Sequence, residues 1–94
     1  MPLFINLGKF TDQGLKNIKQ VEDNSQNVVA ALPAGTKVHG IYVPQGQYDL
    51  VVISESPDAE TDLKGTAALS ANDNTRWETM SAVTMDRFRE LLQS

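Results

Sequence analysis

The 94-residue chain contains no cysteine and only one histidine. The first absence removes disulfides, thiolate metal sites and cysteine nucleophiles together. The second removes any metal site built on several imidazoles. No long hydrophobic run is present: the most apolar stretch is Leu50-Val51-Val52-Ile53, whereas a membrane-crossing helix needs about 20 such residues. Basic excess is absent as well. Twelve acids oppose eight Lys and Arg, a formal charge of −4, which disfavours nucleic acid and anionic membranes as partners. The glycines are scattered and match neither a phosphate-binding loop nor a dinucleotide fingerprint, and there is no G-x-S-x-G. The opening Met1-Pro2-Leu3-Phe4-Ile5-Asn6 has no basic segment followed by a long apolar one, so no secretory signal is read there and the cytoplasm is the expected compartment. What remains, 40% hydrophobic and 21% charged residues, is the composition of one folded domain spanning 1–94.

The four prolines punctuate the chain without interrupting a periodic segment. Leu3 to Phe10 alternates as a strand. Thr11 or Asp12 can cap a helix that carries Leu15, Ile18, Val21, Val28, Val29 and Leu32 at helical spacing, with a weak stretch at 23–27. Thr36 to Val43 is rich in strand-forming residues, Pro44-Gln45-Gly46 is a turn, and Tyr48 to Ser54 is the strongest strand pattern. Pro57-Asp58-Ala59-Glu60 opens a helix carrying Leu63, Ala67, Ala68, Leu69 and Ala71. Asn72-Asp73-Asn74 ends it. Thr75 to Thr84 is a fourth strand. Thr84 then caps a short helix with Phe88, Leu91 and Leu92 on one stripe. The order β-α-β-β-α-β-α is the α+β, ferredoxin-like plan: βαββαβ with a short C-terminal helix and a four-stranded antiparallel sheet.

Such a domain covers one sheet face with its two main helices. The other face should then be polar. Positions 50–53 contradict this, because four consecutive apolar residues place a pair on each face. Phe4 and Tyr42, or the Ile41/Val43 pair, extend the expected patch. A patch of this kind marks an association surface, and a two-fold dimer in which the patch meets itself is the simplest cover. The alternative is that the C-terminal helix or a loop shields it.

Phe10-Thr11-Asp12-Gln13-Gly14 before a helix, Gly46-Gln47-Tyr48-Asp49-Leu50-Val51-Val52, Pro57-Asp58 and Arg76-Trp77-Glu78-Thr79 together resemble the GYD-domain family, over nearly the whole chain. The chain departs from the family pattern at Trp77, where a small residue is usual, and at Asn72-Asp73-Asn74, where glycines are. The resemblance implies a relative of the dimeric α/β-barrel group, in which two sheets pack face to face and whose members include small oxygenases, isomerases and ligand-sensing domains. The Gly-x-Tyr-Asp stretch is also similar to one in the sensing domain of Lrp-type regulators. The resemblance carries no assigned activity. The two-sided apolar strand, with few convergent polar groups, leads to the expectation of a homodimeric module that binds a small organic ligand or assembles, with a cofactor-independent oxygenase or isomerase of the barrel type as the alternative.

Seven residues are candidates to line an inter-sheet cavity: Asn6, His39, Tyr42, Tyr48, Asp49, Arg76 and Trp77. Three of them, Asp49, His39 and Tyr48, are also the candidates for proton transfer. A half-desolvated Asp49 would exchange a proton near neutral pH. The plainer reading has Asp49 tying down the hairpin backbone and Tyr48 packing with its hydroxyl at the rim. His39 is the one side chain of the type that changes charge near neutrality, and no orienting partner is visible for it. Arg76 would hold an anionic ligand or pair with Glu78. Trp77 would wall the cavity or fill the dimer seam. No spacing suggests a metal site, and no cofactor is expected.

Overall fold

A computed structural model describes residues 2–17, 32–71 and 74–93 of the chain. The elements are β1 (Leu3–Phe10), α1 (Asp12–Lys16), β2 (Lys37–Tyr42), β3 (Leu50–Glu55), α2 (Ala59–Ser70), β4 (Thr75–Ala82) and α3 (Met85–Gln93). The expected helical positions Ile18, Val21, Val28 and Val29, the weak stretch at 23–27 and Asn72-Asp73 lie outside the described residues.

The four strands form one antiparallel sheet in the order β2-β3-β1-β4. The strongest strand pattern, β3, is therefore central, beside β1. Ile5 is matched with Ile53 on one side and Met80 on the other. Both ends of β1 are set by local chemistry: a proline at one and a helix cap at the other. Pro2 precedes the strand, and Thr11 turns its hydroxyl to accept the Gly14 N–H at 3.0 Å, capping α1.

The β2–β3 connection, residues 43–49, is wider than the Pro44-Gln45-Gly46 turn alone. Gly46 sits there at φ 129, a backbone conformation only glycine adopts without strain. On β2 the register shifts between Val38 and Gly40, so His39 is an extra residue on that edge. A period-two pattern cannot show such an insertion.

Burial separates the two faces. Phe4, Asn6 and Gly8 of β1, with Val52 and Ser54 of β3, are buried. Helix α2 lies on this side, where Thr66 Oγ1 is 3.3 Å from Thr79 Oγ1. Their strand neighbours Leu3, Ile5, Leu7, Val51 and Ile53 point the other way and stay half-exposed. The shortest dimension of the molecule is 17 Å, room for one sheet and one helical layer. Phe4, expected on the open side, is on the helix side instead. It anchors there as one of two buried apolar residues in the core of the described structure, the other being Val52.

Helix α2 also differs from its expected orientation. Leu63 is 68% exposed, whereas Asp62 and Gly65 are buried. The helix turns a small and polar stripe toward the sheet because the facing strand residues, Asn6, Ser54 and Thr79, are themselves polar and offer hydrogen bonds. Asp58 caps α2 by accepting the Thr61 N–H at 2.8 Å, and that bond lowers its pKa below the ordinary carboxylate value.

Gly14 of α1 is buried against the backbone of Asn74, whose carbonyl accepts the Thr11 N–H at 3.0 Å. A Cβ at Gly14 would overlap that carbonyl, which is backbone and cannot swing away. Gly14→Ala is expected to destabilise the fold by ~2 kcal/mol through overpacking. Thermal unfolding of the two proteins checks this; an unchanged midpoint would show that the contact is not rigid.

Candidate functional site

The open sheet face has an apolar centre and two polar ends. Ile5 and Leu7 of β1, Val51 and Ile53 of β3 and Met80 of β4 form the centre, in register across adjacent strands. Tyr42 of β2, matched with Val51, lies back across Gly40 at its margin and is 54% exposed. Helix α3, expected as a possible shield, buries none of its residues.

At one end, His39 Nε2 is 3.1 Å from Glu55 Oε1, and Glu55 is matched with Leu3. Both side chains are about one-third exposed, so an ion pair there is screened and worth little. At the other end, the Tyr48 hydroxyl donates to Glu78 Oε2 at 2.6 Å, and Glu78 is matched with Leu7. The Glu78 carboxylate, accepting that bond, raises the Tyr48 pKa; partial desolvation and the carboxylate charge act in the same direction. The Lys9 ammonium lies 5.4 Å from the Tyr48 ring centre. Arg76, matched with Lys9, is exposed beside it.

The candidate residues therefore fall into three groups. His39, Tyr42, Tyr48 and Arg76 belong to the open face. Asn6 and Trp77 belong to the helix side. Asn6 is buried, donates to the Val52 carbonyl and Ser54 Oγ at 3.3 and 3.2 Å, and accepts from Thr79 Oγ1 at 2.7 Å. The Trp77 ring packs over Gly8 and its indole N–H donates to Thr75 Oγ1 at 2.8 Å. Trp77 is thus on the opposite face from the seam it was expected to fill; its register with Gly8 decides this. Asp49 stands apart, at the loop end: its carboxylate accepts the Phe10 N–H at 2.9 Å and its own N–H donates to the Gly8 carbonyl at 2.8 Å.

The proton-transfer candidates do not converge. The His39–Glu55 and Tyr48–Glu78 pairs are placed at Leu3 and Leu7 of β1, about 13 Å apart at the strand rise. Among the described residues, no group of three or more His, Asp and Glu side chains is placed to hold a metal ion, and no helix is long and apolar enough to cross a membrane.

A second feature lies under α2. Leu32, Val38 and Val52 border a cavity of about 20 Å³ together with Asn6, Thr36, Ser54, Ser56, Asp62 and Thr66, a volume the size of one water molecule. Ser56 is fully buried, and among the described residues neither its Oγ nor Thr36 Oγ1 has a hydrogen-bond partner. Burial raises the Asp62 pKa above the usual carboxylate range. Asp62 was not singled out by sequence reasoning. The signal was present as Asp58, Asp62, Thr66 and Ser70, a polar row at four-residue spacing within a helix otherwise read by its leucines and alanines.

This topology and two-layer arrangement define a ferredoxin-like α+β domain. The chain belongs to the GYD domain family, whose model matches residues 4–92. Among solved structures it is similar to TTHA0845 from Thermus thermophilus, at 24% identity over 89% of this chain and 95% of that one, with a TM-score of 0.61. It is also similar to FFRP-DM1, at 20% identity over 88% of this chain and all of the other, with a TM-score of 0.56. At these identities the likeness is one of fold. No curated relative matches the sequence.

Asp62 generates a pH dependence with a definite sign. Its folded pKa is raised, so the native state holds more protons than the unfolded chain between the two pKa values. Stability is therefore present below the ordinary carboxylate pKa and is lost as pH rises through the raised value. Asp62→Asn should remove that decline and unfold at higher temperature than the parent at pH 7. Denaturation midpoints from pH 3 to 7 test this; parallel curves for the two proteins would count against a buried, desolvated carboxyl.

Proposed function

We propose that the chain is a homodimeric assembly module, with two copies packing sheet against sheet through the open face. The observation that carries this reading is the apolar centre made by Ile5, Leu7, Val51, Ile53 and Met80, which no described element of the chain covers. Among the described residues Ile5, Leu7, Val51 and Ile53 are half-exposed and Met80 is 42% exposed, so this centre is apolar area still available for burial. An apolar centre between charged ends is also the layout of a specific interface, with a dry core and a polar rim.

A small organic ligand of the kind that occupies an inter-sheet space would meet this apolar floor and be oriented by the polar ends. Tyr48, Lys9 and Arg76 stand at one end, and His39 with Glu55 at the other. Binding and assembly fit better than catalysis, since the Asp49 carboxylate is committed to a backbone N–H and the remaining proton-transfer candidates are widely separated.

The experiment is sedimentation equilibrium of the parent chain and of Ile53→Asp. The parent should be a dimer. The variant places two carboxylates in the seam of each dimer and should weaken association by at least about 100-fold. A parent chain that stays monomeric at high micromolar concentration overturns the reading, as does an Ile53→Asp variant that dimerises equally well.

A further inference from the structure

We infer that α3 is an intersubunit arm, whose apolar stripe is buried by the second copy of this chain; this rests on the sheet-to-sheet dimer proposed above.

Met85, Phe88, Leu91 and Leu92 recur along one side of α3, the i, i+3, i+7 pattern of a helix that packs on something. Each is nonetheless exposed, from 47% at Phe88 and Leu91 to 70% at Leu92. The opposite side is already satisfied within the helix. Arg87 pairs with Glu90 at 2.9 Å and Arg89 with Asp86 at 3.4 Å. The Thr84 hydroxyl accepts the Arg87 N–H at 3.1 Å and closes the first turn. A helix of nine residues is marginal in water on its own. Capping and ion pairs assist it, but the stripe is the part of its sequence that only packing explains.

The size of the open face favours a second copy as the occupant. Four strands spaced ~4.8 Å apart and paired over about six residues present roughly 400 Å². A standard specific interface buries about 800 Å² per partner. As a flat footprint the sheet face is about half of that, and α3 carries a dense group of the remaining exposed apolar side chains. Its position suits the task. It follows the edge strand β4 after two residues, Val83 and Thr84, and leaves at the end of the sheet where Ala82 is matched with Leu3. In a two-fold dimer each arm is used reciprocally, so every apolar contact counts twice.

The absence of native cysteine makes the test clean, because Leu92→Cys supplies the single thiol. Its reaction rate with a maleimide is followed over a dilution series that spans the dimer dissociation constant. Sedimentation equilibrium of Phe88→Asp/Leu92→Asp is run beside it. The arm predicts a thiol at least about 10-fold slower in the dimer than in the diluted monomer, and a double variant whose dimer is weaker by at least about 30-fold. A parent chain that dimerises while both readouts stay unchanged overturns the arm and leaves the sheet-face dimer standing. A thiol equally protected at all dilutions overturns it too, since the helix would then be covered by its own chain. A parent chain that never dimerises overturns both proposals.

Discussion

A four-stranded sheet with helices on one side has two faces to satisfy, and this chain satisfies one. That constraint governs the rest of the structure. Because β1 and β3 are the central strands, their residues meet neighbours on both edges and differ only in which face they serve. Phe4, Asn6, Gly8, Val52 and Ser54 go to the covered face. Leu3, Ile5, Leu7, Val51 and Ile53 go to the other. By register the covered face also carries Phe10, Val38, Ile41, Leu50 and Trp77, so both faces of the sheet bear apolar side chains and only one has a cover among the described elements.

The covered face shows the complementary property. Its middle is a hydrogen-bonded layer in which Asn6 joins β1 to β3 and β4, Thr79 links it to α2 through Thr66, and Asp62 is buried nearby. Polar groups in such a layer fix orientation well and stabilise weakly, since each bond made replaces one to water. The hydroxyls of Ser56 and Thr36, unpartnered among the described residues and beside a cavity the size of one water, belong to the same layer. Fold and stability are linked through this single distribution of side chains.

Membership of the GYD family and the likeness to TTHA0845 and FFRP-DM1 establish what kind of domain this is. They carry no chemistry to individual positions. The chemistry of the open face is modest: a phenol held by a carboxylate at one end, an imidazole beside a carboxylate at the other, and an apolar floor between. Those are the features of a surface that recognises and packs.

Period-two alternation and the run at 50–53 were sufficient to locate β1, the central strand β3 and the two-sided demand for burial, because strand geometry alternates faces without reference to anything else in the molecule. Thr11 and Thr84 as caps, and α3 with its stripe, were legible for the same reason: a cap and a helical stripe are local facts. Other features needed the assembled sheet. Trp77 faces Gly8 only because β4 pairs with β1 in one register, and a shift of one residue would place it in the open face. The extra residue at His39 depends on the pairing of β2 with β3, and the burial of Asp62 on how α2 lies against the sheet. Sequence by itself determined which segments are strands and helices and that one apolar surface would be left over; the tertiary structure alone decided which face that surface occupies and which polar side chains are buried, because those depend on register between segments far apart in the chain.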